Sequence, residues 1–287
     1  MRSQSIMSDA TPPLLDIRNL HIAFDTAHGR SEVVRGVSLQ MGRERVAVVG
    51  ESGSGKSVTF RSLLGLLPAT AHVRADRMAL DGRDLLALRA REMRALRGGT
   101  IGMVVQDPKQ GLDPMMTIGR QLAEMLRLHG KVPRALARQR ARELLAEVHI
   151  RHPERVLDLY PHEVSGGMAQ RVMLAMMLSA EPDLLIADEA TSALDAVVRH
   201  RILELIDEQV RLRGMGWVLI SHDLDLVARY ADRVVVMYAG RIVETLPAGR
   251  MAEATHPYTR GLLACRPSLT RPGGVLPTLN REAAWLA

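Results

Sequence analysis

Residues 50–57 read Gly-Glu-Ser-Gly-Ser-Gly-Lys-Ser and lie between a short apolar run, 45–49, and a stretch of helical character that starts near Lys56. The spacing is that of a phosphate-cradling loop, G-x-x-x-x-G-K-[ST]. Gly50, Gly53 and Gly55 let the chain turn tightly. The N–H groups along Gly50, Glu51, Ser52, Gly53, Ser54 and Gly55 then face inward at phosphate oxygens. The helix start adds its positive end. Lys56 would place a point charge on the β- and γ-phosphates, and Ser57 offers a hydroxyl to Mg²⁺. Lys56 is informative because the only other lysines are Lys109 and Lys131. A planar guanidinium fits such a cradle less well than an ammonium. The plain alternative, a chance glycine turn, is disfavoured by the flanking strand and helix.

A phosphate loop of this kind needs a carboxylate at the tip of a neighbouring strand. The segment Leu184-Leu185-Ile186-Ala187-Asp188-Glu189 supplies one. Four apolar residues make a buried strand, Asp188 emerges to hold Mg²⁺, and Glu189 is positioned to polarise an attacking water as general base. Alone, the segment would read equally well as a strand followed by an exposed acidic turn. Its company with residues 50–57 decides between the two.

These residues must be placed by strands and helices, and the hydrophobic pattern predicts them. Residues 14–24, 33–40, 45–49 and 100–105 read as strands. Residues 56–67 read as a helix stopped by Pro68. From 116 to 177 the pattern is helical, with Leu144, Leu145 and Val148 on one face of a helix over 134–148 and Arg138, Arg142 and Glu143 turned to solvent. Strands recur at 184–187, 217–221 and 233–238, with a helix over 196–213. This alternation predicts an α/β core with a helical insert. The expected divisions are 14–110 and 179–250 for the two parts of the core, 111–178 for the insert, and 251–287 for a tail that Tyr258 and Trp285 could anchor. Residues 1–13 read as a frayed arm.

Composition narrows the class. Of 287 residues, 47% are apolar and 24% charged, which argues for a globular chain rather than a disordered one. The longest apolar candidate, 172–180, is half the roughly 18 residues needed to span a bilayer, and the first residues lack the apolar core of a secretory signal. A single cysteine, Cys265, excludes an intramolecular disulfide and a multi-thiolate zinc site, which fits a reducing compartment. The net charge of +6 is compatible with nucleic acid or an anionic membrane surface. The preference for arginine over lysine reads more simply as a coding bias.

Three further segments make the reading specific. Val164-Ser165-Gly166-Gly167-Met168-Ala169-Gln170-Arg171 puts a serine and two glycines before a helix. Ser192-Ala193-Leu194-Asp195 follows the acidic pair, and Ser221-His222-Asp223 follows an apolar strand. With Gln106, the order resembles that of the ATP-binding subunits of ABC transporters, over about residues 14–250. The resemblance implies a P-loop NTPase (RecA-like) core with a mixed sheet and a helical signature subdomain. It implies that ATP and Mg²⁺ are bound, and that ATP is shared between two cassettes. Ser165, Gly166 and Gly167 would then bind the γ-phosphate held by the other protomer. Gln106 would reach Mg²⁺ and the attacking water and sense the membrane partner. His222 would contact the γ-phosphate, Asp195 would shape the dimer contact, and Phe24 would stack on adenine, with ordinary core packing as its alternative. The chain departs from the family at Val164, where Leu is usual, at Ala190, where Pro is frequent, and at Arg43, where Gly is usual. None of these is a phosphate ligand.

Within that family the chain resembles the peptide and nickel importer branch. The residues that carry this are Tyr160-Pro161-His162-Glu163, residues 112–119, and His256-Pro257-Tyr258-Thr259-Arg260. The resemblance implies two membrane permease subunits, a second ABC ATPase subunit (a paralogue, or a second copy of this chain), and an extracytoplasmic solute-binding protein. The chain would sit on the cytoplasmic face of the inner membrane, touching it only through the permeases. Peptide is the expected cargo, with nickel, another metal or an opine as alternatives. Relatives with a cysteine-rich tail hold an iron–sulfur cluster; with Cys265 alone, none is expected here. A soluble ABC ATPase acting on ribosomes or DNA is a competing reading, motivated by the arginines at 89, 91, 94 and 97. No long heptad run or second cassette supports it, so no nucleic-acid partner is expected, and those arginines read as a solvated helical face. A small-molecule kinase would leave residues 164–171 and His222 without a task.

Overall fold

The computed structural model describes residues 12–105, 107, 111–129, 132–191 and 195–265. In chain order, β1 (Leu15–Thr26) and β2 (Gly29–Met41) form a long antiparallel hairpin. Then come β3 (Arg45–Val49) and α1 (Lys56–Leu63), followed by the short strands β4 (Ala71–Arg74), β5 (Arg77–Leu80) and β6 (Arg83–Asp84). After α2 (Ala90–Leu96) and β7 (Ile101–Val104) comes the helical stretch α3 (Ile118–Leu128), α4 (Arg134–Glu147), α5 (Pro153–Leu157) and α6 (Gly166–Leu178). The chain then alternates through β8 (Leu184–Asp188), α7 (Ala196–Arg213), β9 (Gly216–Ile220), α8 (Leu224–Tyr230) and β10 (Arg233–Tyr238). It ends in β11 (Arg241–Pro247) and α9 (Pro257–Ala264).

Two sheets result. The central one runs β11-β10-β3-β9-β8-β7 and is parallel except for β11 at its edge. The second is antiparallel, in the order β2-β1-β5-β6, with β4 also paired to β1. The architecture is α/β with a mixed central sheet. Strands β8 and β9 are buried at every position, as expected for parallel strands covered on both faces. One apolar cluster joins β1, β2, β3, Phe60 and Leu63 between the sheets. A second joins α3, α4, α6 and α7 to the other side of β8 and β9, with Trp217 wholly buried. Helix α4 buries Leu144 and Leu145, with Val148 buried at its cap, and exposes Arg138 and Arg142 as its periodicity predicts, whereas Glu143 is half-buried.

Local chemistry shifts some boundaries. Helix α1 ends at Leu63 rather than at Pro68, because Gly65 takes a left-handed φ of 56° and closes it. Arg97 does not belong to a solvated face: its Nε donates to Leu64 O at 2.6 Å and its Nη2 to Gly65 O at 3.1 Å, capping the end of α1. Arg89, Arg91 and Arg94 are exposed. Strands β4, β5 and β6 were not visible in the sequence, since they are short and β4 alternates only between exposed and half-buried positions. Nor were β11 and α9. Trp285 and Gln106 lie outside the described residues, as do positions 192–194. Among the described residues no helix is long and apolar enough to cross a membrane.

Candidate functional site

The loop 50–57 leaves the end of β3 and enters α1, so its shape depends on both. Gly50, Gly53 and Gly55 have φ of 149°, 81° and 96°. At Gly50 a Cβ would lie 2.1 Å from Met237 O and 2.9 Å from Ser54 Oγ, so the close approach to β10 excludes any side chain as well as the conformation. Gly55 is the N-cap of α1 and no side chain caps that helix. Its first N–H groups are therefore left to a ligand, with the helix's positive end behind them.

Lys56 is buried. Its Nζ donates to Gly50 O and Glu51 O, both at 2.8 Å, and lies 3.4 Å from Ser54 Oγ. Burial pushes its pKa down, opposed by the nearby carboxylates of Glu189, Asp188 and Glu51. The ammonium thus braces the loop it would share with phosphate.

Asp188, the last residue of β8, is 3% exposed. Ser57 Oγ donates to its Oδ1 at 2.6 Å, across 131 residues of sequence. The other oxygen accepts from Arg61 Nε at 3.2 Å and Nη2 at 2.9 Å. Arg61 escaped the sequence reading. The available signal was its i,i+4 relation to Ser57, which puts both on one face of α1. The adjoining Ser57 hydroxyl and Asp188 carboxylate are hard oxygen donors of the kind Mg²⁺ prefers, so these two residues would hold such an ion.

Glu189 sits just past the strand with φ of 48°, a strained conformation for a residue with a Cβ. Its N–H donates to Ile220 O at 3.1 Å, tying it to the end of β9. His222 follows that strand, and its Nδ1 lies 3.9 Å from Glu189 Oε1. The turn carrying His222 is fixed on both sides. Asp223 N donates to Ser221 Oγ at 3.0 Å, and Asp223 caps α8 by accepting from Asp225 N and Leu226 N. Thus residues separated by more than a hundred positions converge at the carboxyl ends of β3, β8 and β9, the usual ligand crevice of an open parallel sheet.

Other predicted residues stand apart. Ser165 caps α6, its Oγ accepting from Met168 N at 3.3 Å; Ser165 and Gly166 are exposed. A Cβ on Gly167 would lie 3.0 Å from Val198 Cγ1 of α7. Asp195 spends one carboxylate oxygen on the N–H groups of Val197 and Val198 at the start of α7, a cap worth about 1 kcal/mol. Phe24 lies on β1 opposite Ser31 of β2 and Ala71 of β4, half-buried against the cluster between the sheets. Of the family departures, Val164 and Ala190 are buried and Arg43 pairs with Asp183 at 2.5 Å.

Comparison with known proteins adds sequence kinship to this geometry. Residues 34–192 match the ABC transporter family. The peptidoglycan transport ATP-binding protein YejF of Agrobacterium fabrum is 49% identical over 261 residues, covering 90% of this chain but 48% of that protein, so the chain spans about half of that relative's length. The oligopeptide transport ATP-binding protein OppD of Bacillus subtilis is 44% identical over 263 residues, covering 91% of this chain and 74% of that protein. The dipeptide transport ATP-binding protein DppD of the same organism is 44% identical over 270 residues, covering 93% and 81%. Among solved structures, cbiO1 of Clostridium perfringens, part of the ABC transporter complex cbiONQ, superposes with a TM-score of 0.71 at 26% identity, covering 85% of this chain and 92% of that one. The dimeric cassette MJ0796 bound to ADP and Pi superposes equally well at 24% identity, covering 82% and 98%, which speaks for the fold alone.

Proposed function

The chain belongs to the ABC transporter family, and from that premise we propose that it is the ATP-hydrolysing subunit of a peptide importer. The observation that carries this is the joining of the uncapped α1 start to Asp188 through Ser57 Oγ, 2.6 Å away. The cargo class rests on relatives named for oligopeptide and dipeptide transport at 44% identity over nearly the whole of this chain.

In this reading the loop of residues 50–55, through N–H groups such as those of Ser52 and Gly53, and the Lys56 ammonium hold the triphosphate, with Phe24 against adenine. Ser57 and Asp188 would hold Mg²⁺, with Gln106 reaching it, and the ion would offset the phosphate charge. Glu189 accepts a proton from the attacking water. That water's oxygen bonds to the γ-phosphorus, and the bond to the bridging oxygen breaks with its electron pair leaving on ADP. His222 contacts the γ-phosphate. Ser165, Gly166 and Gly167 complete the pocket of a second cassette, with Asp195 at the contact, so ATP favours the closed pair through contacts that hydrolysis removes. The second cassette is a paralogue or a second copy. Two permeases and an extracytoplasmic binding protein complete the importer, which keeps this chain at the cytoplasmic face of the inner membrane.

Deletion of the gene, followed by uptake of radiolabelled di- and oligopeptides, tests the function. Loss of peptide uptake, restored by the wild-type gene, is expected. Intact peptide uptake with loss of nickel uptake would overturn the cargo, and no loss of any uptake would overturn the importer role.

A further inference from the structure

The tail helix α9 reaches the phosphate loop. Tyr258, in its first turn, is wholly buried, yet its phenol oxygen accepts the backbone N–H of Glu51 at 2.9 Å, across 207 residues of sequence. Its ring lies 4.4 Å from that of Tyr238, at the end of β10 beside the loop. The ring is packed among Ala47 and Val49 of β3 and Val234 and Val236 of β10, the strands that flank the loop. The helix itself is anchored by Glu244 of β11, whose Oε1 accepts from Thr255 N, Thr255 Oγ1 and His256 N at 2.7 to 3.2 Å. His256 Nδ1 in turn caps α9 by accepting from Tyr258 N. The phenol is therefore held by a rigid chain of contacts running from the edge strand to the loop.

The Glu51 N–H belongs to the planar peptide that joins Gly50 to Glu51, so a hydrogen bond on it fixes the direction of the Gly50 carbonyl as well. That carbonyl accepts from Lys56 Nζ at 2.8 Å, and the next one, Glu51 O, accepts from Lys56 Nζ and from Ser54 N. One phenol oxygen thus fixes the first peptide of the loop, and through it the lysine's seat. The N–H groups of Ser52 and Gly53, at the exposed tip, have no hydrogen-bond partner among the described residues.

We propose that Tyr258 is a positioning residue for nucleotide binding, its hydroxyl holding the Glu51 peptide so that the phosphate loop is pre-shaped before ATP arrives. The proposal rests on residues 50–57 being the ATP site, and the test separates the two. Hydrogen exchange on the nucleotide-free full-length chain gives a readout independent of ATP. The Glu51 amide should exchange more slowly than those of Ser52 and Gly53. In Tyr258→Phe, which removes one oxygen and keeps the ring, Glu51 should exchange faster while the amides of 46–49 and 259–264 hold their protection. Binding of a fluorescent non-hydrolysable ATP analogue should weaken about 3- to 10-fold, the loss of one hydrogen bond. Unchanged exchange at Glu51, or unchanged analogue affinity with faster exchange there, would overturn the proposal. So would loosening of the whole of α9 along with Glu51, which would mark Tyr258 as a packing residue only. If the wild-type chain fails to bind the analogue while Glu51 is protected by Tyr258, the ATP-site reading fails instead, and the proposal with it.

Discussion

His222 Nδ1 stands 3.9 Å from Glu189 Oε1, beyond hydrogen-bond reach but close enough for both to face one phosphate or one water. The two belong to neighbouring strand ends, and each is held by its backbone: Glu189 by its N–H on Ile220 O, and His222 by the capped turn before α8.

Replacing Glu189 without changing its shape is the direct check of its proposed role as base. In Glu189→Gln, phosphate release from ATP by the reconstituted importer should fall by about 100-fold or more. Binding of a fluorescent ATP analogue should stay within about twofold of wild type. Turnover that survived the change would remove Glu189 from the role of base.

Lys56 cannot be replaced by another cation. Its Nζ fits between Gly50 O and Glu51 O, both 2.8 Å away, at a site 5% exposed. Lys56→Arg brings a broader planar group into that space. Analogue affinity should fall at least 10-fold in Lys56→Arg and further in Lys56→Ala, measured by fluorescence titration. Near-wild-type affinity in the arginine variant would show that the loop is not the tight cradle its geometry implies.

Gly50 is the loop position least able to accept a side chain. A Cβ there would meet Met237 O at 2.1 Å, and φ is 149°. Gly50→Ala should destabilise the chain by about 1–3 kcal/mol and shift β3 against β10. Gly53→Ala meets no atom within 4 Å and should cost about 1 kcal/mol, through conformation alone. Thermal melting of the two variants should rank them in that order.

The antiparallel sheet carries its own acid sensitivity. Asp16 of β1, 4% exposed, accepts from Arg18, from Gln40 of β2 and from Arg77 of β5. Arg18, then Gln40 and Arg77, hold its carboxyl below the usual carboxylate range against the opposing effect of burial. A carboxyl whose folded value is depressed stabilises the fold fully above its unfolded value, about 3.9, and loses that contribution as pH falls through the folded value. Asp16→Asn should therefore lower the melting temperature at pH 7, by a loss of about 1–3 kcal/mol, and the deficit should shrink as pH falls below about 3.9. A deficit that stayed the same from pH 7 down through the acid range would tie the effect to packing rather than charge.

Much of the site was legible because its parts are local. A phosphate loop is made of successive main-chain N–H groups whose directions follow from three glycines a few residues apart. An apolar run ending in Asp188 is a buried strand with a carboxylate at its tip. Ser165 and Asp195 stand where a helix begins, and each caps one. The α/β alternation followed from hydrophobic period, and α4, α7 and β10 lie within one residue of their expected limits. Short-range chemistry of this kind is written into neighbouring residues.

What tertiary structure alone decided is which distant residues meet. Nothing near Asp188 in sequence announces Arg61, which reaches it only because α1 packs beside β8. Arg97 reads as one more exposed arginine until α2 is laid across the end of α1. Strands β4 to β6 are too short to show a period; β4 and β5 exist because β1 offers them an edge, and β6 because β5 does. The tail gave no clear pattern, yet Tyr258 joins it to the phosphate loop. Loop closures of this length cost entropy that only the whole buried core offsets, so these pairings are properties of the fold and not of any stretch of the chain.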